Sequence, residues 1–358
     1  MSSYREIYRA DQLPVFQNRM FNTSAEALAS PKGDVVLVQD MHTGLVFNQA
    51  FNPELMDYGP DYQNEQAFSS VFRSHLDEVT SIIQRHFQGK TLIEVGCGKG
   101  YFLERLHTSG FDITGFDPAY EGANLKILKE HFHQRFGLTA DGIVLRHVLE
   151  HIPDPVGFLS KIREVNGSGG KIYIEVPCFD WIGHHRAWFD IFYEHVNYFR
   201  LNDFKRMFGI ILEGGHVFGG QYLYVVADLT TLRVPKYADD CRADLPPDFL
   251  DNVRHHAEVL KTRRTGRSAI WGGASKGVIF ALFMQRAGVP VDIGIDINPA
   301  KQGKYLAGSG LRIHSPEEAM ALLIPDADLF VMNRNYLSEI IERSGNQYNY
   351  LEIDREII

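Results

Sequence analysis

The stretch Thr91-Leu92-Ile93-Glu94-Val95-Gly96-Cys97-Gly98-Lys99-Gly100 decides the fold, because a short apolar run ending in glycines at alternate positions reads as a buried strand breaking into a tight turn. Tyr101-Phe102-Leu103-Glu104-Arg105-Leu106 then supplies a helix. Gly96, Gly98 and Gly100 leave room for a ligand to lie against bare backbone. The spacing is not the G-x-G-x-x-G of a dinucleotide site, which aims a helix N-terminus at a pyrophosphate. A second strand, Asp112-Ile113-Thr114-Gly115-Phe116, ends in Asp117-Pro118, placing a carboxylate at a strand tip where it can accept ribose hydroxyls.

Working outward, strand and helix alternate: strands 91–95, 112–116, 142–146 and 171–176, helices 99–109 and 155–165, and a weaker helix within 121–135. Such alternation predicts a parallel sheet covered by helices on both faces. Upstream, Phe68, Val71, Phe72, Leu76, Val79, Ile82 and Ile83 recur at helical spacing and form a lead-in helix. Residues 1–65 hold a strand over 34–39, a turn and a second run at 45–47, a hairpin-bearing cap. After a proline-marked stretch and a helix from about 249 to 264 the pattern restarts: strand 268–271, turn Gly272 to Gly277, helix 278–286, strand 291–295 ending in Asp296. Strands 327–332 and 349–353 and a helix near 336–343 complete it. The expected organisation is a cap (1–65), an α/β core (66–232), a linker and connecting helix (233–267) and a second α/β domain (268–358).

The chain has 358 residues, a net charge of -9 and no long basic block, which argues against a sequence-independent grip on nucleic acid. No apolar run is long enough to span a bilayer and the first residues lack a signal peptide's apolar centre, so a cytoplasmic protein with a small-molecule partner and no membrane or nucleic-acid partner is expected. It is expected to be a monomer or homodimer. Three scattered cysteines make neither a disulfide framework nor a zinc site, and Cys97 fills the glycine turn.

His147-Val148-Leu149-Glu150-His151 spells H-x-x-E-H, a zinc-peptidase pattern. It follows a strand directly and is stopped by Ile152-Pro153-Asp154-Pro155, so the long helix that would present both histidines to one metal is missing. No metal is expected. A further constellation, Trp188-Phe189-Asp190-Ile191-Phe192-Tyr193-Glu194-His195-Val196-Asn197-Tyr198-Phe199, falls just past strand 171–176, at the carboxyl edge where open α/β sheets bind ligands.

The E-x-G-x-G-x-G turn resembles the cofactor motif of class I S-adenosylmethionine-dependent methyltransferases, and Arg146 to Pro155 looks like the segment after the fourth strand of that fold. Together with Asp296-Ile297-Asn298-Pro299 and Asn333-Arg334-Asn335-Tyr336, the aromatic segment resembles the C-methyltransferases that alkylate nucleotide-linked ketosugars, across nearly the whole chain. The resemblance implies an α/β fold with a class I methyltransferase Rossmann-like core, a small N-terminal cap and a C-terminal Rossmann-like domain. It implies S-adenosylmethionine held by Glu94, Gly96, Cys97, Gly98, Gly100, Tyr101, Asp117, Pro118, Arg146, His147 and His151. His195 matches the family's base, which removes a proton alpha to a ketone, with Glu194, Tyr193, Tyr198 and Tyr62 as companions and Tyr58, Gly272, Lys276 and Asp296 toward the acceptor. A neutral imidazole suits that task.

The departures are specific. The family's cap carries cysteine-bound zinc and this cap has no cysteine; the family's Y-H-E-H is here Phe192-Tyr193-Glu194-His195, and its G-G-S is Gly219-Gly220-Gln221. An oxygen or nitrogen acceptor within the same class, a nicotinamide-dependent oxidoreductase with two Rossmann units and a non-catalytic binding module are the other readings. The oxidoreductase would need G-x-G-x-x-G in one unit, and neither has it.

Overall fold

The computed structural model describes residues 3–56, 66–262 and 266–354. The cap opens with β1 (Tyr4–Pro14), followed by β2 (Lys32–Asp40) and β3 (Val46–Asn48). The lead-in helix is α1 (Ser70–Phe87), whose Leu76, Val79, Ile82 and Ile83 are buried as their spacing requires. The core follows as β4 (Thr91–Val95), α2 (Tyr101–Thr108), β5 (Asp112–Phe116), β6 (Ile127–Leu128), β7 (Gly142–Arg146), α3 (Pro155–Val165) and β8 (Lys171–Pro177). A short β9 (Asn197–Tyr198) and the hairpin β10 (Ile211–Val217) and β11 (Tyr222–Asp228) come next.

The main sheet has the order β10-β11-β8-β7-β4-β5-β6. Its five strands from β8 to β6 are parallel, while β11 joins β8 antiparallel. The chain order reverses between β4 and β7, so a crevice opens at their carboxyl ends, where Gly96 to Gly98 and Arg146 to His147 lie. The helix expected within 121–135 is absent. Asn124 turns the chain by accepting the N–H of Lys126, Ile127 and Leu128 pair with Gly115 and Phe116, and only a single 3₁₀ turn at Gln134–Phe136 remains.

After α4 (Asp251–Thr262) the second sheet is built from β12 (Ala269–Trp271), α5 (Lys276–Arg286), β13 (Ile293–Ile295), β14 (Ile313–His314), β15 (Asp328–Val331), α6 (Leu337–Arg343) and β16 (Asn349–Glu352). All five strands are parallel, in the order β14-β13-β12-β15-β16, and the reversal between β12 and β15 opens a second crevice.

The parts are welded together. β9, from the aromatic segment of the core, is the fourth strand of the cap sheet, and Met20–Phe21 pairs antiparallel with Tyr305–Leu306 of the second α/β unit. Trp188 is fully buried against Phe280 and Phe283 of α5 at ring distances of 5.9 and 4.9 Å. One buried apolar cluster includes Leu13 and Val35 of the cap, Ile143 and Trp188 of the core, and Phe280 and Phe330 of the second unit.

Candidate active site

The two crevices face one shared cavity of about 370 Å³, a size ordinary for small-molecule sites. From the first sheet Glu94, Gly96, Cys97, Gly98 and Tyr101 line it. All three turn glycines have a left-handed φ, but for different ends. A Cβ on Gly96 would strike Val148 and one on Gly100 would strike Ile127, whereas a Cβ on Gly98 would meet open space. Gly98 therefore leaves space among the described residues where the other two turn glycines do not, and Gly100 is a packing glycine that starts α2.

Asp117 clamps this turn. Its Oδ2 accepts the N–H of Gly98 and its Oδ1 that of Ala119, each at 2.8 Å. Gly100, Asp117 and Pro118, expected at the cofactor, are not among the described residues that line the cavity. Glu94 is buried in the cavity wall with Oε2 lacking a hydrogen-bond partner among the described residues, and burial pushes its carboxyl up to about 8 against the pull of Arg146.

Below the cavity floor Glu175 collects donors. Arg146 binds it through Nε and Nη2 at 3.1 Å each, His147 Nε2 and His75 Nε2 at 3.0 Å, and the Tyr173 hydroxyl donates at 2.7 Å. Burial opposes its ionisation, and Arg146, His147 and His75 overcome that, holding the carboxyl well below the usual range. His147 is likewise opposed by burial, yet its contacts with Glu150 and Glu175 raise it to about 9, so it is an imidazolium at neutral pH. Arg146 lies over the Phe102 ring at 4.4 Å.

His195 is 8 % exposed and lines the cavity, with its ring 4.2 Å from Phe192 and 5.1 Å from His151. Burial, reinforced by His151 and His147, holds its imidazole well below its ordinary value, so it is neutral and able to accept a proton. Its sequence neighbours do other work than expected. The Glu194 carboxylate accepts the backbone N–H of Gln17 at 2.6 Å, fastening the cap, while its carbonyl accepts from His151 Nδ1 at 2.8 Å. The Tyr193 hydroxyl accepts the N–H of Asn52 at 2.8 Å, because its ring packs over Gly33 in the cap. The Tyr198 hydroxyl bridges the backbone N–H and carbonyl of Phe192, both at 3.1 Å, and shapes the turn that presents His195. Tyr193 and Tyr198, expected as catalytic companions, are not among the residues that line the cavity. Tyr58 and Tyr62 lie outside the described residues.

The H-x-x-E-H string forms no long helix, as its flanks foretold: His147 has a left-handed φ of 51°, and Leu149–His151 is one 3₁₀ turn. It nevertheless brings a carboxylate to the histidines, since one oxygen of Glu150 and one ring nitrogen each of His151 and His195 lie within 4.8 Å of one another.

From the second sheet Gly272, Lys276, Asp296 and Asn298 line the cavity. Asp296, expected toward the acceptor, lines the cavity and also organises its own loops: Oδ2 accepts the Gly273 N–H at 2.9 Å and Lys301 Nζ at 3.2 Å, and Oδ1 accepts the Asn298 N–H at 2.8 Å. Lys276 Nζ sits 3.4 Å from Asp190, over the faces of Trp181 and Phe189 at 4.7 and 5.6 Å. Although within ion-pair range, neither Lys276 Nζ nor Asp190 Oδ2 makes a well-formed hydrogen bond, and Asn298 Nδ2 is also without a partner among the described residues. Reading the sequence missed Asn298, Glu150 and Glu175, and also Gln221, whose Oε1 accepts Asn333 Nδ2 across the two units at 2.8 Å.

With this geometry in place, comparison with known proteins gives the class. Residues 64–209 match the family model described as a methyltransferase domain, and with the β10-β11-β8-β7-β4-β5-β6 sheet they form a class I S-adenosylmethionine-dependent methyltransferase domain. The protein is an enzyme of that kind, with S-adenosylmethionine as its cofactor. Among individual relatives, C-methyltransferase NovU of Streptomyces niveus is 25% identical over 300 residues, covering 74% of this chain and 70% of that one. A ubiquinone biosynthesis O-methyltransferase of Cereibacter sphaeroides is 33% identical over 101 residues, 24% of this chain and 40% of that one. A solved methyltransferase structure from Archaeoglobus fulgidus superposes with a TM-score of 0.35 at 18% identity, covering 45% of this chain and 98% of that one.

Proposed function

We propose that this methyltransferase places its methyl group on carbon, next to a ketone of a small acceptor such as a nucleotide-linked sugar, with His195 as the base. The observation that carries the reading is a neutral, buried His195 facing the cavity that the glycine turn also lines. An oxygen or nitrogen acceptor has less need of such a base, because its nucleophile already carries a lone pair. The likeness to NovU over most of both chains supports carbon as the acceptor atom.

The first crevice fits the cofactor on two counts, the open space at Gly98 and the Glu94 oxygen without a partner among the described residues, which has a free hydrogen-bonding position to offer a polar group. Gly96, Gly98 and Glu94 would hold it, with Asp117 fixing the turn, and when bound it supplies an electrophilic methyl group. At the second crevice Lys276 Nζ and Asn298 Nδ2 point unused donors at the cavity and suit an anionic handle such as a diphosphate.

The test is incubation with ¹³C-methyl S-adenosylmethionine and a panel of nucleotide-linked ketosugars, followed by NMR of the product. A methyl carbon bonded to carbon is expected. A methoxy or N-methyl signal replaces the reading with the heteroatom alternative.

A further inference from the structure

The H-x-x-E-H string leaves one group that cofactor binding does not use. Glu150 is 1 % exposed, lines the cavity and contributes a carboxylate oxygen within 4.8 Å of ring nitrogens on His151 and His195. Its Oε1 lies 3.4 Å from His147 Nδ1, while Oε2 has no hydrogen-bond partner among the described residues. A buried carboxylate oxygen without a donor is costly to retain. The carboxylate next to His195 in sequence, that of Glu194, is bound to Gln17.

We propose that Glu150 is the positioning residue of the proton transfer, its carboxylate offsetting the positive charge that His195 acquires when it takes the acceptor's proton. The proposal rests on His195 being the base. In that step the C–H bond alpha to the carbonyl breaks, its electron pair moves onto the carbonyl oxygen as an enolate, and the proton goes to the His195 ring. The new imidazolium then stands beside His151 and an already charged His147, in a pocket where burial alone resists the charge. A carboxylate at this separation in a low-dielectric cavity is the strongest compensation available. The other charged residues lining the cavity are Arg146 on Glu175, Lys301 on Asp296, Arg343 on Glu339, Lys276 within ion-pair range of Asp190, and Glu94 and Lys99 in the wall of the glycine crevice. His151, in the same cluster, is anchored through Nδ1 on the Glu194 carbonyl.

The readout is loss of the alpha-proton signal of the ketosugar in D₂O, with S-adenosylhomocysteine present so that no methylation follows. Glu150→Gln is expected to slow this exchange roughly 10- to 100-fold and to move the acid limb of its pH profile down by about one pH unit. The affinity for S-adenosylhomocysteine and the melting temperature should hold, and Glu150→Asp should restore most of the rate. Exchange at the wild-type rate in Glu150→Gln overturns the proposal. So does an equal loss in the Asp variant with an unmoved pH limb, which marks a purely structural role. Stoichiometric divalent metal in the purified protein, lost in Glu150→Gln, also overturns it, by making the cluster a metal site. If His195→Ala exchanges normally, or the wild type exchanges no ketosugar, the underlying reading of the base fails instead.

Discussion

At the tip of β4 the turn glycine Gly98 has no described residue packed within 4 Å of where a Cβ would stand, and the nearby Glu94 keeps an oxygen without a partner among the described residues; at the tip of β12 the same kind of turn is filled from within. A Cβ on Gly273 would meet Ile313 at 2.8 Å, and Asp296 is already bound by Gly273, Asn298 and Lys301. Two strand–turn–helix units of one chain thus reach one cavity, each with a strand-tip acid that ties its own turn, Asp117 on the Gly98 N–H and Asp296 on the Gly273 N–H; they differ in that space stands open over Gly98 while Ile313 fills the place over Gly273. The motif predicts where a crevice forms. Whether a ligand or the protein satisfies the polar groups there is set by side chains from elsewhere.

The sharpest test of this contrast is at the chemistry between the two edges. His195→Ala is expected to lower turnover by about 10²–10⁴-fold, with calorimetric affinity for S-adenosylhomocysteine unchanged. A loss of binding in step with turnover would mean that His195 belongs to the first crevice rather than to the acceptor.

Glu94 offers a pH test. In the unfolded chain it ionises near the ordinary carboxylate value, but in the fold only around 8. The folded state therefore binds the extra proton in between, and this residue's contribution is present at acid pH and lost as pH rises from about 4.5 to about 8. Denaturant melts of the ligand-free protein should show this decline, at most about 5 kcal/mol, and Glu94→Gln should flatten it. An unchanged slope in the variant would break the account of Glu94 as the first crevice's unsatisfied group.

Lys276→Met should cost about 3 kcal/mol in a denaturant melt, because Asp190 is left buried alone. Adding Asp190→Asn should recover most of that stability. If the single change is silent, the pair is not what fastens this edge. The smallest effect expected is on the fold of Gly98→Ala, about 1 kcal/mol for the left-handed backbone, yet affinity for S-adenosylhomocysteine should drop at least about tenfold as the methyl enters the open space. Gly273→Ala should do the reverse, costing stability and leaving that affinity intact.

The parallel strands of the main sheet were legible because strands buried on both faces are near-continuous apolar runs, as in 91–95 and 171–176. β1 was not, since register shifts between Glu6 and Tyr8 and between Ala10 and Leu13 break the two-residue alternation that marks a half-buried strand. The glycine turn and His195 could be read from local spelling. The partners of Glu194 and Glu175 could not, because Gln17 lies 177 residues from the one and His75 lies 100 from the other. Glu150 was in plain view within H-x-x-E-H and was weighed only for zinc. Its place beside His195 comes from the chain between them folding back, which no short motif encodes.

The strand exchange between parts described above has a consequence for dissection. A fragment cut at the bounds of the methyltransferase match, 64–209, would keep β9 without the β3 partner it pairs with and strip Trp188 of Phe280 and Phe283. It would also end before β10 and β11, leaving β8 as a bare apolar sheet edge. Expressed on its own, such a fragment should aggregate. The catalytic segment is not a cassette that can be lifted out, and chimeras that aim to change the acceptor must carry the cap and the second sheet along with it.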